Sequence, residues 1–519
     1  MYVFGSINRK WNPIGYAMIG MWIISFSTFQ WLCCYTLLQK EQNQLFLFSY
    51  DYLGTFFDKP AWLACLTGEF LTMLFHYPLM GSVIIASILT LIVGVTYLCL
   101  RVWLTTIWAI SLSLMFSCLV GSFHFNFQYD LSSTLCFVGG ILMFLLINSL
   151  QSKSWIFILP LGLAGAIATY WMFGYGLWIY LILLILRNWK VGLTALLISI
   201  LSIPLLKQVY YLPTSELYTY PEMGKPQLPV RAIETGFQIE HAYQQGNWDE
   251  IVKIVEGSNL ANENLVQHRI LLFFYNLVQA QRGVLPDVLL KYYPNELGTF
   301  INMTPESPLL LYRNMHELYY TLGDMARAGN AAMMACISAP HNTNARMIQR
   351  LAECHIVSGD SAVANKYLKL LSQTGIYADW VKTVVNEKKI KYKFSFLNQS
   401  DSVSENTYVM MRQLMDSNPG NEVALDYMLC SDLLAKDIET FKEDYDRYCL
   451  NTHRLRQIYQ EALCIWLMRY DASETEWDKY RIAPQIRERL SQYLERKDDT
   501  GFTDTYWYYY DALEPQLFH

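Results

Sequence analysis

Three carboxylates, Asp51, Asp58 and Glu69, stand in a part of the chain that holds very few charges. They lie in the stretch 38–78, between two long apolar runs. A carboxylate held over a cavity at a membrane surface can act as a general base or as a ligand for a divalent metal. The plainer reading is loop acids in water, with Glu69 capping a helix or snorkelling; no two of them form a D-x-D pair. Other motifs fall short of a site. His316-Glu317-Leu318-Tyr319-Tyr320 resembles the zinc motif H-E-x-x-H but ends in Tyr, so the second ligand is missing. The chain has no P-loop, no G-x-S-x-G and no C-x-x-C. No cofactor is predicted, and a divalent metal enters only if the three acids are catalytic. Of eleven cysteines, six precede residue 208 and Cys336, Cys354, Cys430, Cys449 and Cys464 follow it. They read as buried thiols, with one bridge allowed outside the cytoplasm.

The elements that must position the three acids are apolar. Residues 1–208 hold nine Lys/Arg and five acids; out of totals of 39 and 45, this leaves 30 basic and 40 acidic residues in 209–519, a net charge of −10. Two different polymers are therefore joined near residue 208: a hydrophobic half and an acidic, water-soluble half. An acidic domain repels nucleic acid, so DNA and RNA are excluded as partners. The uncharged runs in the first half are 11–39, 70–100, 102–129, 131–152, 154–186 and 191–206. A membrane-crossing helix needs about 20 apolar residues, and the expected spans are 13–36, 79–100, 102–122, 131–150, 155–172, 174–187 and 191–208. The first is too long for a cleaved signal peptide and is followed by Gln-Lys-Glu-Gln-Asn rather than by small residues, so it reads as a retained anchor.

Short loops rich in Lys and Arg stay in the cytoplasm. With the N-terminus inside, Arg9, Lys10, Arg101, Lys153, Arg187 and Lys190 are cytoplasmic, while Lys40, Lys59, Lys207 and all five acids lie outside. Seven spans then leave 209–519 outside, which is the periplasm of a bacterial inner membrane. The middles of the spans carry no charge, which disfavours a pump or an ion-coupled carrier. The external loop 38–78 is aromatic, and Trp62, Leu63, Leu66, Phe70, Leu74 and Tyr77 fit a helix over 61–77 lying at the lipid headgroups.

The second half repeats with a period of 36. Leu311, Met315, Leu318, Gly323, Asp324, Ala326 and Ala328 recur as Met347, Leu351, Cys354, Gly359, Asp360, Ala362 and Ala364. The apolar members follow helix spacing, and Gly-Asp ends one helix and begins the next. A helix–turn–helix unit of this length is the tetratricopeptide plan. Degenerate copies of the turn fall at Gly246-Asn247, near Gly283 and at Lys436-Asp437; Asn418-Pro419-Gly420-Asn421 reads as a further helix start, and 392–404 as an interruption. Tyr506-Trp507-Tyr508-Tyr509-Tyr510 reads as a cap on the last helices. The expected fold is all-α: a polytopic transmembrane helix bundle of about seven spans over 1–208, with its first external loop at 38–78, followed by a TPR-like α-solenoid over 209–519.

The blocks FSYDYL (48–53), GEFLTMLFHYP (68–78), GNWDEIV (246–252), NPGNEVALDY (418–427), YQEAL (459–463) and TYWYYY (505–510) resemble a family of polytopic membrane proteins of Bacteroidota built on a domain of unknown function. That resemblance spans nearly the whole chain and implies an inner-membrane location with a periplasmic tail. The architecture also resembles GT-C membrane glycosyltransferases, which combine several spans, a long first external loop with a carboxylate, and in many cases a tetratricopeptide tail. In that resemblance Asp51 matches the loop carboxylate, while a paired acidic motif and a lipid-phosphate Arg/Lys cluster are missing. Two functions follow as expectations. The first is a membrane-anchored solenoid that binds a periplasmic protein or peptide, with membrane lipids around its bundle. The second is a GT-C-like glycosyltransferase using a polyprenyl-phosphate-linked sugar.

Overall fold

The computed structural model describes residues 13–150, 155–210, 212–258, 265–292, 309–387, 390, 395–396, 406–450, 455–495 and 500–512. Among the described residues there is no β-strand, only two isolated bridges, Leu47 with Thr374 and Asp324 with Phe396. The chain divides into two compact units. One comprises the sequence up to Glu234 together with Ala339–Ala345 and Lys369–Thr383; the other holds Thr235–Ser338, Arg346–Leu368 and Val384–His519.

In the first unit, three helices are long and apolar enough to cross a membrane: Met80–Leu100, Thr106–Phe123 and Leu131–Leu150. At about 1.5 Å per residue each is about 27–32 Å long, close to the thickness of a bilayer core. Two bent pairs raise the number to five if each is one span: Pro13–Leu32 with Cys34–Gln42, bent by 77°, and Trp189–Leu201 with Ile203–Val209, bent by 52°. Ile158–Phe173 and Gly176–Arg187 are apolar but shorter. The expected first and last spans are therefore broken rather than continuous. The first break has a visible cause. The Glu234 carboxylate accepts from the backbone N–H of Tyr35 (2.7 Å) and Thr36 (3.0 Å) and from the Thr36 hydroxyl (2.7 Å). It thus satisfies the free N–H groups that a new helix start exposes. The outward faces are apolar: Tyr16, Ile19, Ile23, Ile24 and Trp31 on the first helix and Ile107, Trp108 and Met115 on Thr106–Phe123 are all exposed. Helices apolar on both faces suit a lipid surround.

Small residues let these helices approach closely, as membrane helices require. A Cβ on Gly140 would lie 2.3 Å from the carbonyl oxygen of Gly176, and one on Gly176 would lie 2.3 Å from that of Cys136, which locks Leu131–Leu150 against Gly176–Arg187. Gly68 meets the backbone of Ser132 in the same way, at 2.6 Å.

The second unit is built of helix–turn–helix steps with a shared turn. The residue after the helix takes positive φ at Gly246, Gly283, Gly323, Gly359, Lys436 and Asp471. At all of these except Gly359 two bonds close the turn, as in Gly323 N–H to Tyr320 O (3.1 Å) and Asp324 N–H to Tyr319 O (2.9 Å). This is the Schellman geometry. The next residue caps the following helix where it is Asp: Asp324 accepts from Arg327 N–H (3.0 Å), Asp360 from Val363 N–H (3.2 Å) and Asp437 from Thr440 N–H (3.0 Å). Met315, Leu318, Met347, Leu351 and Cys354 are all buried, as the period-36 pattern requires; the side chain of Leu311 lies outside the described residues. The interruption expected over 392–404 also lies outside them, apart from Ser395 and Phe396. At the C-terminal end, helix Tyr506–Ala512 closes the unit. Tyr506 and Tyr509 hydroxyls donate to Leu433 O (2.7 Å) and Leu434 O (2.6 Å), and the Trp507 indole donates to Glu461 O (2.8 Å).

Candidate functional site

The stretch after the first bend places its acids differently. Asp51 is exposed in the first turn of helix Tyr50–Thr55, which Ser49 caps, and Asp58 is exposed at the end of the 3-10 turn Phe56–Asp58. Glu69 is half-buried on helix Trp62–Met73, which Gly68 seats on the start of Leu131–Leu150. The Tyr52 hydroxyl donates to Glu69 Oε2 at 2.5 Å, and Gln44 Nε2 donates to the Glu69 carbonyl at 2.7 Å. Tyr52 is itself held edge-on between Phe46 (5.7 Å) and Phe56 (5.3 Å). Burial raises the Glu69 pKa above the ordinary carboxylate range; the Tyr52 bond, His341 and Lys59 pull it back, and Asp130 adds to the rise.

Two further acids, not singled out by the sequence, have partners far along the chain, and one of them, Asp130, acts on Glu69. Asp130, between the helices that end at Phe123 and begin at Leu131, meets His341 Nε2 at 3.2 Å. The hydrogen bond that His341 donates to Asp130 is the main reason that the His341 pKa is pushed up to about 9, against the opposing effect of burial. Glu41 is 2% exposed; the Tyr377 hydroxyl donates to both of its oxygens at 3.0 Å, and His76 Nδ1 stands 3.7 Å away. Glu41 belongs to a run, Gln39–Gln44, that is buried throughout although every residue in it is polar. Lys40 in this run donates to the Tyr129 carbonyl at 2.7 Å. Lys59 lies over the Tyr220 ring at 5.8 Å.

This arrangement can hold and move a proton. Glu69 keeps its proton to higher pH than a free carboxylate, has a hydroxyl donor on one oxygen, and lies in the field of one imidazolium and one ammonium. Among the described residues no three His, Cys, Asp or Glu side chains stand together as a metal-ligand set. All eleven cysteines are free thiols. The near-motif at His316-Glu317 lies in the second unit and is a buried ion network. Burial would raise the Glu317 pKa, but Arg350 and Arg346 outweigh it and hold the carboxyl at about 2. Arg350 Nε donates to His316 Nδ1 at 3.3 Å.

Several apolar helices long enough to cross a membrane, together with a second unit of helix–turn–helix steps, are consistent with a helical membrane protein. Within that class the chain belongs to the DUF6057 family, a family of unknown function, which matches residues 9–232 and 227–512. No curated protein and no solved structure matches it.

Proposed function

We propose that the chain is a multi-pass protein of a bacterial inner membrane, with about seven spans and a cytoplasmic N-terminus. Its second unit is a TPR-like solenoid in the periplasm that binds a protein or peptide partner. The recurring Schellman turn carries this reading, because repeats of one helix–turn–helix step stack into extended binding faces. Met333, Met334 and Ile337 expose apolar side chains on a single helix of that unit, where contact with a partner is favourable. A photo-crosslinking residue at Met333 or Ile337 of the full chain in living cells tests it. The reading expects one discrete adduct that a neighbouring charge, Met334→Glu, abolishes. Absence of any adduct at both positions contradicts it.

A second reading is favoured by the half-buried Glu69. In it the chain transfers a sugar from a polyprenyl-phosphate donor, and a carboxylate of the first loop takes the proton of the acceptor hydroxyl. Glu69 suits that role better than the exposed Asp51 or Asp58, because a base in a drier setting has its proton affinity raised. Transfer from a radiolabelled polyprenyl-phosphate sugar in membranes is the assay. Glu69→Gln should lower the rate by about 10²–10⁴-fold, and Asp51→Asn should leave it near wild type. Equal rates in wild type and Glu69→Gln would remove the reading.

A further inference from the structure

Two short segments, 339–345 and 369–383, belong to the first unit although they lie far along the sequence. Their contacts fall on the buried polar run and the loop around it. His341 meets Asp130 at 3.2 Å, Asn344 Nδ2 donates to Asn43 Oδ1 at 3.3 Å, and Tyr377 donates to Glu41 at 3.0 Å. The Phe48 N–H donates to the Gln373 carbonyl at 2.8 Å, beside the Leu47–Thr374 bridge. Gly375 sits so close to the Phe48 ring that a Cβ there would be 3.0 Å from it, and Ile376 packs with Phe46 and Met73.

We propose that 339–345 and 369–383 form a strap pinned across the run Gln39–Gln44, by His341–Asp130 at one end and Tyr377–Glu41 at the other, and that the strap governs whether Glu41 meets solvent. Within that buried polar run the strap supplies hydrogen-bond partners to Glu41 and Asn43, while Lys40 and Gln44 bond to the carbonyls of Tyr129 and Glu69. Each pin joins a neutral or cationic donor to a carboxylate, a bond stronger than one between neutral groups. The groups facing His341 are Asp130, Glu69 and Lys59. Because its pKa is raised, the His341 pin is fully present below the ordinary histidine range and is lost as pH rises through about 9.

Hydrogen exchange of the full chain in detergent or nanodiscs tests the strap, read on peptides covering 339–345 and 369–383. Labelling of Glu41 by a water-soluble carbodiimide gives a second reading. In Asp130→Asn combined with Tyr377→Phe, exchange in both segments should quicken by about tenfold or more, since each pin is a hydrogen bond to a carboxyl group. Glu41 labelling should rise in parallel, with Met80–Leu100 still protected. If the double variant also loses protection in Met80–Leu100, Tyr377→Phe alone, which removes one hydroxyl, decides on the same criterion at 369–383. Segments that already exchange at free-peptide rates in wild type, or variants that exchange and label like wild type, overturn the proposal.

Discussion

Leu318→Ala takes three methyl or methine carbons out of a side chain that is 0% exposed and packed among the apolar residues of the second unit's core. Such a deletion costs about 2–5 kcal/mol, from lost transfer energy and an unfilled cavity. For a unit of this size each kcal/mol shifts the melting temperature by about 2–4 °C, so the transition should fall by about 4–20 °C. Cys354, one repeat further on, packs with Met325 and Ala328. Cys354→Ala removes a single sulfur and should cost about 1 kcal/mol. Cys354→Asp should be worse than Cys354→Ala, because a buried carboxylate needs a free cation. The nearby guanidiniums of Arg346 and Arg350 are already taken by Glu317 and Glu353. Scanning calorimetry of the full chain in detergent gives the order wild type, Cys354→Ala, then the other two variants. Wild-type melting for both Leu318→Ala and Cys354→Asp would mean that the repeat register, and the helix pairing drawn from it, is mistaken.

Three further substitutions test packing and charge. Asp432 is 0% exposed, and burial, with Asp444 and Asp437 adding to it, pushes its pKa well above the ordinary range against the effects of Tyr408 and Arg412. The folded state therefore keeps a proton that the unfolded chain gives up at about pH 4, and stability falls as pH rises above that value. Asp432→Asn should flatten this slope and melt higher than wild type at pH 8; wild type melting higher there would mean an ionised, paired carboxylate. Gly140→Ala forces a Cβ to within 2.3 Å of the Gly176 carbonyl oxygen, whereas Gly20→Ala meets nothing within 4 Å. The first should lower the thermal stability of the detergent-solubilised chain and the second leave it equal or slightly raised; equal effects from both would argue against the close approach of those helices.

Local chemistry was readable and long-range chemistry was not. Gly323-Asp324 and Gly359-Asp360 announce their turns because glycine accepts positive φ and aspartate caps the next helix, all within a few residues. The equivalent turn at Asp471 has no glycine, and its only local sign is the Ser473–Glu476 capping box of the next helix. Apolar length marked the segments at Met80–Leu100 and Leu131–Leu150, but the 77° bend after Leu32 is met by Glu234, about 200 residues away. The candidate site divides in the same way. Glu69 could be nominated from its place in an aromatic loop. Asp130 and Glu41 could not, since Asp130 finds its histidine 211 residues on and Glu41 its tyrosine 336 residues on. Isolated acids such as Asp51, Asp58 and Asp130 look alike in a sequence; burial and partners distinguish them.

The proposed arrangement, a membrane bundle with the second unit on the outer side of the membrane, is measured most directly by topology reporters. Alkaline phosphatase and a fluorescent protein should be fused in turn to His519 of the full chain and expressed in bacteria. The positive-inside count of Arg9, Lys10, Arg101, Lys153, Arg187 and Lys190 predicts an active phosphatase and a dark fluorescent protein. An inactive phosphatase with a bright fluorescent protein would place the repeat unit in the cytoplasm and contradict the account.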